Sequence, residues 1–166
     1  MDVSGWAPEK IMQLPDHVFG ERHILACYGY SGNGVPVWDI SEVAVHDISV
    51  LWDLTIYPVY LSSAGDYIRI AWAQYLPKST DEMDKLAPLV RGFGEQGAEP
   101  RRIPLYFYAG AVTFHLRNLV YPGGRRMVIE VYASAAKYVM CYVVATVSSL
   151  PKEVPDWLIS GQGKSL

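Results

Sequence analysis

The sequence contains few of the residues from which reactive centres are built. Its 166 residues include only two cysteines, Cys27 and Cys141, which lie far apart in apolar segments and form no CxxC motif. Each is expected to be a small buried hydrophobic residue, and a disulfide between them is left open. The four histidines lack the tight spacing of metal ligands; they are His17, His23, His46 and His115. We therefore expect no metal site and no cofactor.

Charged residues are also scarce, at 19% of the chain with a net charge of −3. A dedicated nucleic-acid-binding domain usually has a basic face, so contact with nucleic acid is expected only locally, if at all. The arginines available for such contact are Arg101, Arg102, Arg125 and Arg126. The longest apolar run, Tyr138 to Val147, is about half a membrane span, and the N-terminus lacks a signal-peptide pattern. We expect a soluble protein that makes no membrane contact.

Catalytic motifs are missing or incomplete. Residues 92–97 read GFGEQG, which matches the dinucleotide-binding motif GxGxxG. That motif needs a strand before it and a helix after it, whereas here a helix-like segment precedes it and the following residues cannot begin a long helix. We therefore expect a flexible loop. Ser31 lies in GYSGN rather than in the GxSxG motif of nucleophilic serines. The remaining serine-hydrolase combination is His46 and Asp47 with Ser31 or Ser63. Since no pattern favours that combination, we predict no catalytic residue. An enzyme without a recognisable catalytic motif is our third alternative.

What the sequence does contain is a two-residue alternation of apolar and polar side chains. The alternation is clearest from Asp47 to Ile56, where only Leu51 interrupts it, and it predicts a strand with one buried face. The apolar residues expected on that face are Ile48, Val50, Trp52, Leu54 and Ile56. A long run that is apolar on both faces, Tyr138 to Val147, predicts a central strand.

One helix and about eight or nine strands are predicted in all. The helix is expected from Thr80 to Val90, because Ser79 and Glu82 have capping-box spacing, with Pro88 expected to kink or shorten it. Turns of Gly, Pro, Ser and Asn separate the strands, which favours a sandwich or barrel over βαβ units. We predict an all-β fold with one short helix, an antiparallel β-sandwich of jelly-roll type. It should span residues 21–150, between an N-terminal arm (1–20) and a C-terminal arm (151–166).

Aromatic residues are abundant, with 12 tyrosines and five tryptophans. Such side chains are enriched in protein interfaces, where a large ring carries a polar group, and they also stack on sugars. The candidate interface residues are Trp6, Tyr57, Tyr60, Tyr106, Tyr108 and Trp157.

Three segments resemble picorna-like virus capsid proteins of the dicistrovirus and iflavirus type, and they occur in that family's order. Residues 18–24 resemble a Gly-Glu-containing segment, although the family's leucine- and arginine-containing stretch does not follow. Residues 104–114 are similar to an aromatic strand, with Ala109 where the family usually has Arg. Residues 131–135 and the apolar run after them resemble the C-terminal strand. Together the segments cover less than a third of the chain.

These observations predict a structural protein, a viral capsid subunit or a projection from a capsid, that works by self-assembly and surface binding. Its expected partners are identical or different shell subunits, and a glycan or receptor is a further partner to consider. It is expected in the virion or the host cytoplasm. The alternative is a soluble β-sandwich that binds a carbohydrate or another small ligand through its tyrosines and tryptophans.

Overall fold

The computed structural model describes residues 14–58, 65–89, 102–104, 111–120, 123–134 and 138–151. This part of the chain forms nine strands: β1 (Arg22–Gly32), β2 (Val37–Val45), β3 (Ser49–Pro58), β4 (Tyr67–Ala73), β5 (Ala87–Pro88), β6 (Ile103–Pro104), β7 (Val112–Val120), β8 (Arg125–Tyr132) and β9 (Tyr138–Ser149). A 3-10 turn (Asp16–Val18) precedes β1, and one α-helix, α1 (Thr80–Asp84), lies between β4 and β5. No helix among these residues is long and apolar enough to span a bilayer.

The strands form two antiparallel sheets. Sheet A has the order β1-β9-β3-β7, and sheet B has the order β2-β8-β4-β5, with β6 also paired to β4. The chain crosses between the sheets after β1, β2 and β3, and again before β7, β8 and β9. This alternation is the strand order of a jelly roll, so the predicted all-β sandwich with one short helix is confirmed. The domain boundaries stay predictions, because residues 1–13 and 152–166 lie outside the described part.

The core lies between the inner faces of the two sheets. Alternate residues of each strand point into it, as the pleat of a strand requires. The largest fully buried side chains are Leu25, Leu51, Leu54, Ile56, Ile68, Ile70, Ile103, Met127 and Ile129. At Gly29 the sheets approach so closely that an added Cβ would lie 2.4 Å from Cγ2 of Val131. Cys27 and Cys141 are free and buried in this core, as predicted for small hydrophobic residues.

Strand β3 does not keep one face over its whole length. Leu51 lies opposite Val147 of β9, and Asp53 lies opposite the adjacent residue, Thr146. Two steps along β3 thus match one step along β9. Trp52 is therefore an extra residue, a β-bulge, which reverses the alternation from that point. The predicted single apolar face is wrong, because the structure divides its residues between two clusters. The core-facing set is Leu51, Leu54 and Ile56, and the outer set is Ile48, Val50 and Trp52.

The helix is shorter than predicted. It begins after Ser79, whose hydroxyl accepts a hydrogen bond from the backbone N–H of Glu82 at 3.1 Å, so the predicted cap is present. It ends at Asp84 rather than at Val90, because Ala87–Pro88 pairs with β4 as an edge strand. Proline lacks the N–H that a helix would need at this point.

Helix α1 covers the outer face of sheet B. Met83 packs against Ala71, Ala73 and Val128. Beside it, buried Arg69 donates from Nε to Glu130 at 2.8 Å and also pairs with Asp84 of the helix. Burial alone would lower the pKa of the Arg69 guanidinium, but its hydrogen bonds and charge interactions with both carboxylates raise it above the ordinary value. The two sheets therefore differ, because sheet A has no helix over its outer face in the described part.

Candidate functional site

One end of the outer face of sheet A is covered by Leu14–Gly20, which we call the arm root. Phe19 of the arm root packs edge-on against Trp52, with ring centroids 5.0 Å apart. The guanidinium groups of Arg22 and Arg117 lie 4.7 and 5.3 Å from the centroid of the same ring. The Trp52 Nε1–H donates to Ser148 Oγ at 2.8 Å. The bulge at Trp52 thus provides the anchor that holds the arm root on the sheet.

The other end of the same face carries five tyrosines, which we call the tyrosine face. They are Tyr28 and Tyr30 of β1, Tyr57 of β3, and Tyr138 and Tyr142 of β9. Tyr142 lies opposite Tyr28 on one neighbouring strand and opposite Tyr57 on the other, so three rings form a row across the sheet. The ring centroids of Tyr28 and Tyr142 are 4.7 Å apart. Those of Tyr30 and Tyr138 are 5.4 Å apart and nearly parallel.

The tyrosine face is open to solvent. Each of its five tyrosines is 40–49% exposed. The residues beside these rings on the outer face are Ala26, Thr55, Met140 and Val144, none of which is charged. If a whole tyrosine contributes about 200 Å², the five rings expose roughly 400 Å². That is about half of what one partner buries in an interface of standard size.

The chemistry of this face suits burial against another surface. Flat rings in a row provide apolar area, while their hydroxyl groups can still form hydrogen bonds. One such bond runs from Asn33 Nδ2 to the Tyr138 hydroxyl at 2.8 Å. Toward the arm root the face becomes polar, with the carboxylate of Asp53 2.5 Å from Nδ1 of His115. The face is thus aromatic at one end and ionic at the other.

The predicted interface residues are only partly covered by the structure. Tyr57 lies on the tyrosine face. The others lie outside the described residues and stay predictions; they are Trp6, Tyr60, Tyr106, Tyr108 and Trp157. The four remaining tyrosines of the face were not predicted as interface residues. The signal was present in β1, where Tyr28 and Tyr30 alternate with buried Cys27 and Gly29.

The serine-hydrolase combination with Ser31 does not form. Ser31 is buried, donates to the carbonyl oxygen of Val35 at 2.5 Å and accepts from the N–H of Ala133 at 3.1 Å. His46 follows the far end of β2, which is roughly 26 Å long at about 3.3 Å per residue. The serine and the histidine therefore lie at opposite ends of the strand. Ser63 lies outside the described residues.

The predicted arginines do not form one patch in the structure. Arg102 lies over the ring of Tyr67, 4.3 Å from its centroid. Arg126 is opposite Ala73, at the other end of β4, and its Nη1 donates to the carbonyl oxygen of Ser41 at 3.4 Å. Arg101 lies outside the described part. A continuous basic track for a nucleic acid is therefore not present among the described arginines.

Comparison with known proteins shows a distant likeness to a solved structure. No protein-family model and no curated protein sequence matches the chain. Among solved structures, the chain is similar to a chain of the cyanophage Pam1 capsid asymmetric unit, with 12% identity and a TM-score of 0.44, over 82% of this chain and 91% of that one. That structure is a phage capsid, so the sequence resemblance to picorna-like capsid proteins gains no support from it. The jelly-roll assignment rests on the strand order of the two sheets.

Proposed function

We propose that this protein is a structural subunit of a viral shell, or of a projection from one, and that it assembles with other shell subunits through the tyrosine face. The observation that carries the proposal is the row of half-exposed tyrosines on the outer face of sheet A. The viral setting is argued from the sequence resemblance and from the jelly roll, a fold that viral capsid and lectin domains use. The protein then acts in the virion, with other copies or other shell subunits as its partners.

The tyrosine face supplies the central part of an assembly interface. Two such faces in contact would remove roughly 800 Å² of tyrosine surface from water, about half of the total area in an interface of standard size. Residues around the tyrosine face must therefore contribute the remaining area, because association also costs freedom of motion and polar desolvation. Sheet B offers no equivalent surface around α1, because Met83 and Arg69 already fill the space between helix and sheet.

Light scattering after size-exclusion chromatography, over a concentration series, tests the proposal. The wild-type mass should exceed the 18.5 kDa of one chain and rise with concentration. Tyr142→Ser removes the central ring of the row and should shift assembly to concentrations about tenfold higher or more, since about 2 kcal/mol of burial is lost per ring. Tyr75→Ser is the matched control, because Tyr75 is 81% exposed and lies outside the tyrosine face.

Two results would overturn the proposal. One is a wild-type mass that stays at 18.5 kDa at every concentration. The other is equal assembly of the Tyr142→Ser and Tyr75→Ser variants. Circular dichroism of both variants shows whether each keeps its β structure.

A further inference from the structure

A second surface, which we call the basic groove, lies beyond the end of β4. It has a volume of about 550 Å³, and its walls include Trp72, Tyr75, Lys85 and Arg125. It adjoins a hollow of about 400 Å³ that shares Trp72 and Arg125 and that is otherwise mostly apolar, with Leu51, Leu89 and Leu119 in its walls. The basic groove is separate from the tyrosine face, none of whose residues lines it.

The walls of the groove are held by the fold. Trp72 belongs to β4, opposite Met127 of β8, and packs against the sandwich core. Gln74 donates from Nε2 to the carbonyl oxygen of Gly123 at 3.0 Å, which fixes the end of β4 to the turn before β8. Arg125 begins β8, and Lys85 is the C-cap residue directly after α1. Aromatic and cationic side chains are therefore placed together by three different elements.

The described walls of the groove carry positive charge only. Neither Lys85 nor Arg125 forms an ion pair within the described part of the chain. Among the described residues, neither hollow has an Asp or Glu in its walls. In a protein of net charge −3, two neighbouring cations of this kind favour a small negatively charged group rather than an extended anionic partner.

We propose that the basic groove binds an acidic sugar residue of a glycan. The rings of Trp72 and Tyr75 offer flat apolar faces with negative π density, on which the C–H face of a sugar ring can stack. Arg125 and Lys85 can then bind the sugar carboxylate with charge-assisted hydrogen bonds. Two cations match one carboxylate, whereas a nucleic acid carries a phosphate every few Å and needs a longer basic track. The site is a second function, independent of assembly.

Calorimetric titration of the full chain with an oligosaccharide of glucuronic acid tests this inference, and the methyl ester of the same oligosaccharide is the matched neutral ligand. Saturable binding of the acid, with a Kd on the order of 1 mM or below, is expected. The ester should bind at least about tenfold more weakly, and Arg125→Ala and Lys85→Ala should each weaken binding of the acid by a similar factor. Arg125→Lys should restore part of the affinity. Tyr142→Ser, which disrupts the proposed assembly surface, should leave sugar binding unchanged.

Three outcomes would overturn the inference. The first is no saturable binding of the acidic oligosaccharide, and the second is equal binding of acid and ester. The third is tighter binding of a thymidine decanucleotide or of a glutamate-rich peptide, which would assign the groove to a nucleic acid or to a protein partner. Circular dichroism of the Arg125→Ala and Lys85→Ala variants separates loss of the site from loss of the fold.

Discussion

Arg69 and Glu130 are a charged pair buried in the outer layer of sheet B. One Glu130 oxygen accepts from Arg69, and the other accepts from the indole N–H of Trp38 at 2.7 Å and from the Thr80 hydroxyl at 3.3 Å. A charge that is buried in this way is tolerated because every partner is in place. This network joins α1 to three strands of the sheet.

Removing one charge of the pair should be costly. Glu130→Gln removes the fully buried negative charge beside Arg69, and we expect the free energy of unfolding to fall by roughly 3–5 kcal/mol. The matched change Asp84→Asn removes the charge of the other partner of Arg69. Because the Asp84 side chain is 51% exposed, this change should lower the free energy of unfolding by about 1 kcal/mol or less. Urea unfolding at neutral pH measures both. Equal losses in the two variants would contradict the role given to Glu130.

Three residues should make the fold sensitive to alkali. Burial raises the pKa values of Cys27, Cys141 and Tyr67 to about 12, with Asp39 adding to the effect at Cys27 and Glu130 at Tyr67. In the unfolded chain these groups lose their protons near pH 8.5 for cysteine and near pH 10 for tyrosine. The folded state therefore binds these three protons more tightly than the unfolded state does. The stability that this provides is present in full below about pH 8.5 and is lost as the pH rises toward 12.

The urea midpoint, measured from pH 7 to pH 11, is expected to decrease steadily above about pH 8.5. Iodoacetamide at pH 8.5 should leave both thiols unmodified in the folded protein and should alkylate both in urea. Rapid alkylation of the folded protein, or a midpoint that rises between pH 9 and pH 11, would contradict the burial of these groups.

At the scale of the elements, turn chemistry shapes the connection between β1 and β2, where the chain passes from one sheet to the other. Asn33 and Gly34 have φ values of 58° and 74°, and they form a tight two-residue turn that Gly32 and Val35 close with a single bridge. Turns rich in Gly and Asn were predicted between the strands, and this turn agrees because Asn and Gly tolerate positive φ.

Gly34→Ala should destabilise this turn and with it the fold. An alanine at φ 74° places its Cβ in the left-handed region, at a cost of roughly 1–2 kcal/mol. Gly123→Ala is the control, because Gly123 has no positive φ and an added Cβ would meet only the Arg125 side chain, at 3.9 Å. Thermal unfolding should show a lower Tm for Gly34→Ala alone. Equal Tm values for the two variants would argue against this turn.

Other elements show where prediction from the sequence fails. The alternation in β3 predicted one apolar face, but the bulge at Trp52 depends on how β9 pairs with it, which no local pattern reveals. The helix start was predicted from Ser79 and Glu82, whereas its end at Asp84 follows from the pairing of Ala87–Pro88 with β4. β9 was predicted as a central strand and is one, but Tyr138 and Tyr142 on its outer face are nearly half exposed.

The candidate site was the least predictable part for the same reason. Tyr28, Tyr57 and Tyr142 come from strands distant in sequence, and they meet only because β9 inserts between β1 and β3. The sequence shows that tyrosines are abundant, but the row depends on register. Likewise, the basic groove needs Lys85 and Arg125 to meet at the end of β4.

On the scale of the whole molecule, the two sheets have different roles. Sheet B is closed on its outer side by α1 and the network of Arg69. Sheet A is covered at one end by the arm root and carries the tyrosine face at the other. The basic groove lies at one end of sheet B, away from the tyrosine face. A protein with a helix over the outer face of one sheet and exposed tyrosines on the other is suited to the proposed packing beside a neighbour.

Hydroxyl-radical footprinting of the assembled and the diluted protein tests this account most directly, because it reports the exposure of each tyrosine separately. Assembly through the tyrosine face predicts that labelling of Tyr28, Tyr30, Tyr57, Tyr138 and Tyr142 falls in the assembled form, while labelling of Tyr75 stays constant. If the five tyrosines are labelled equally in both forms while the mass shows assembly, subunits meet elsewhere, and the tyrosine face is not the interface.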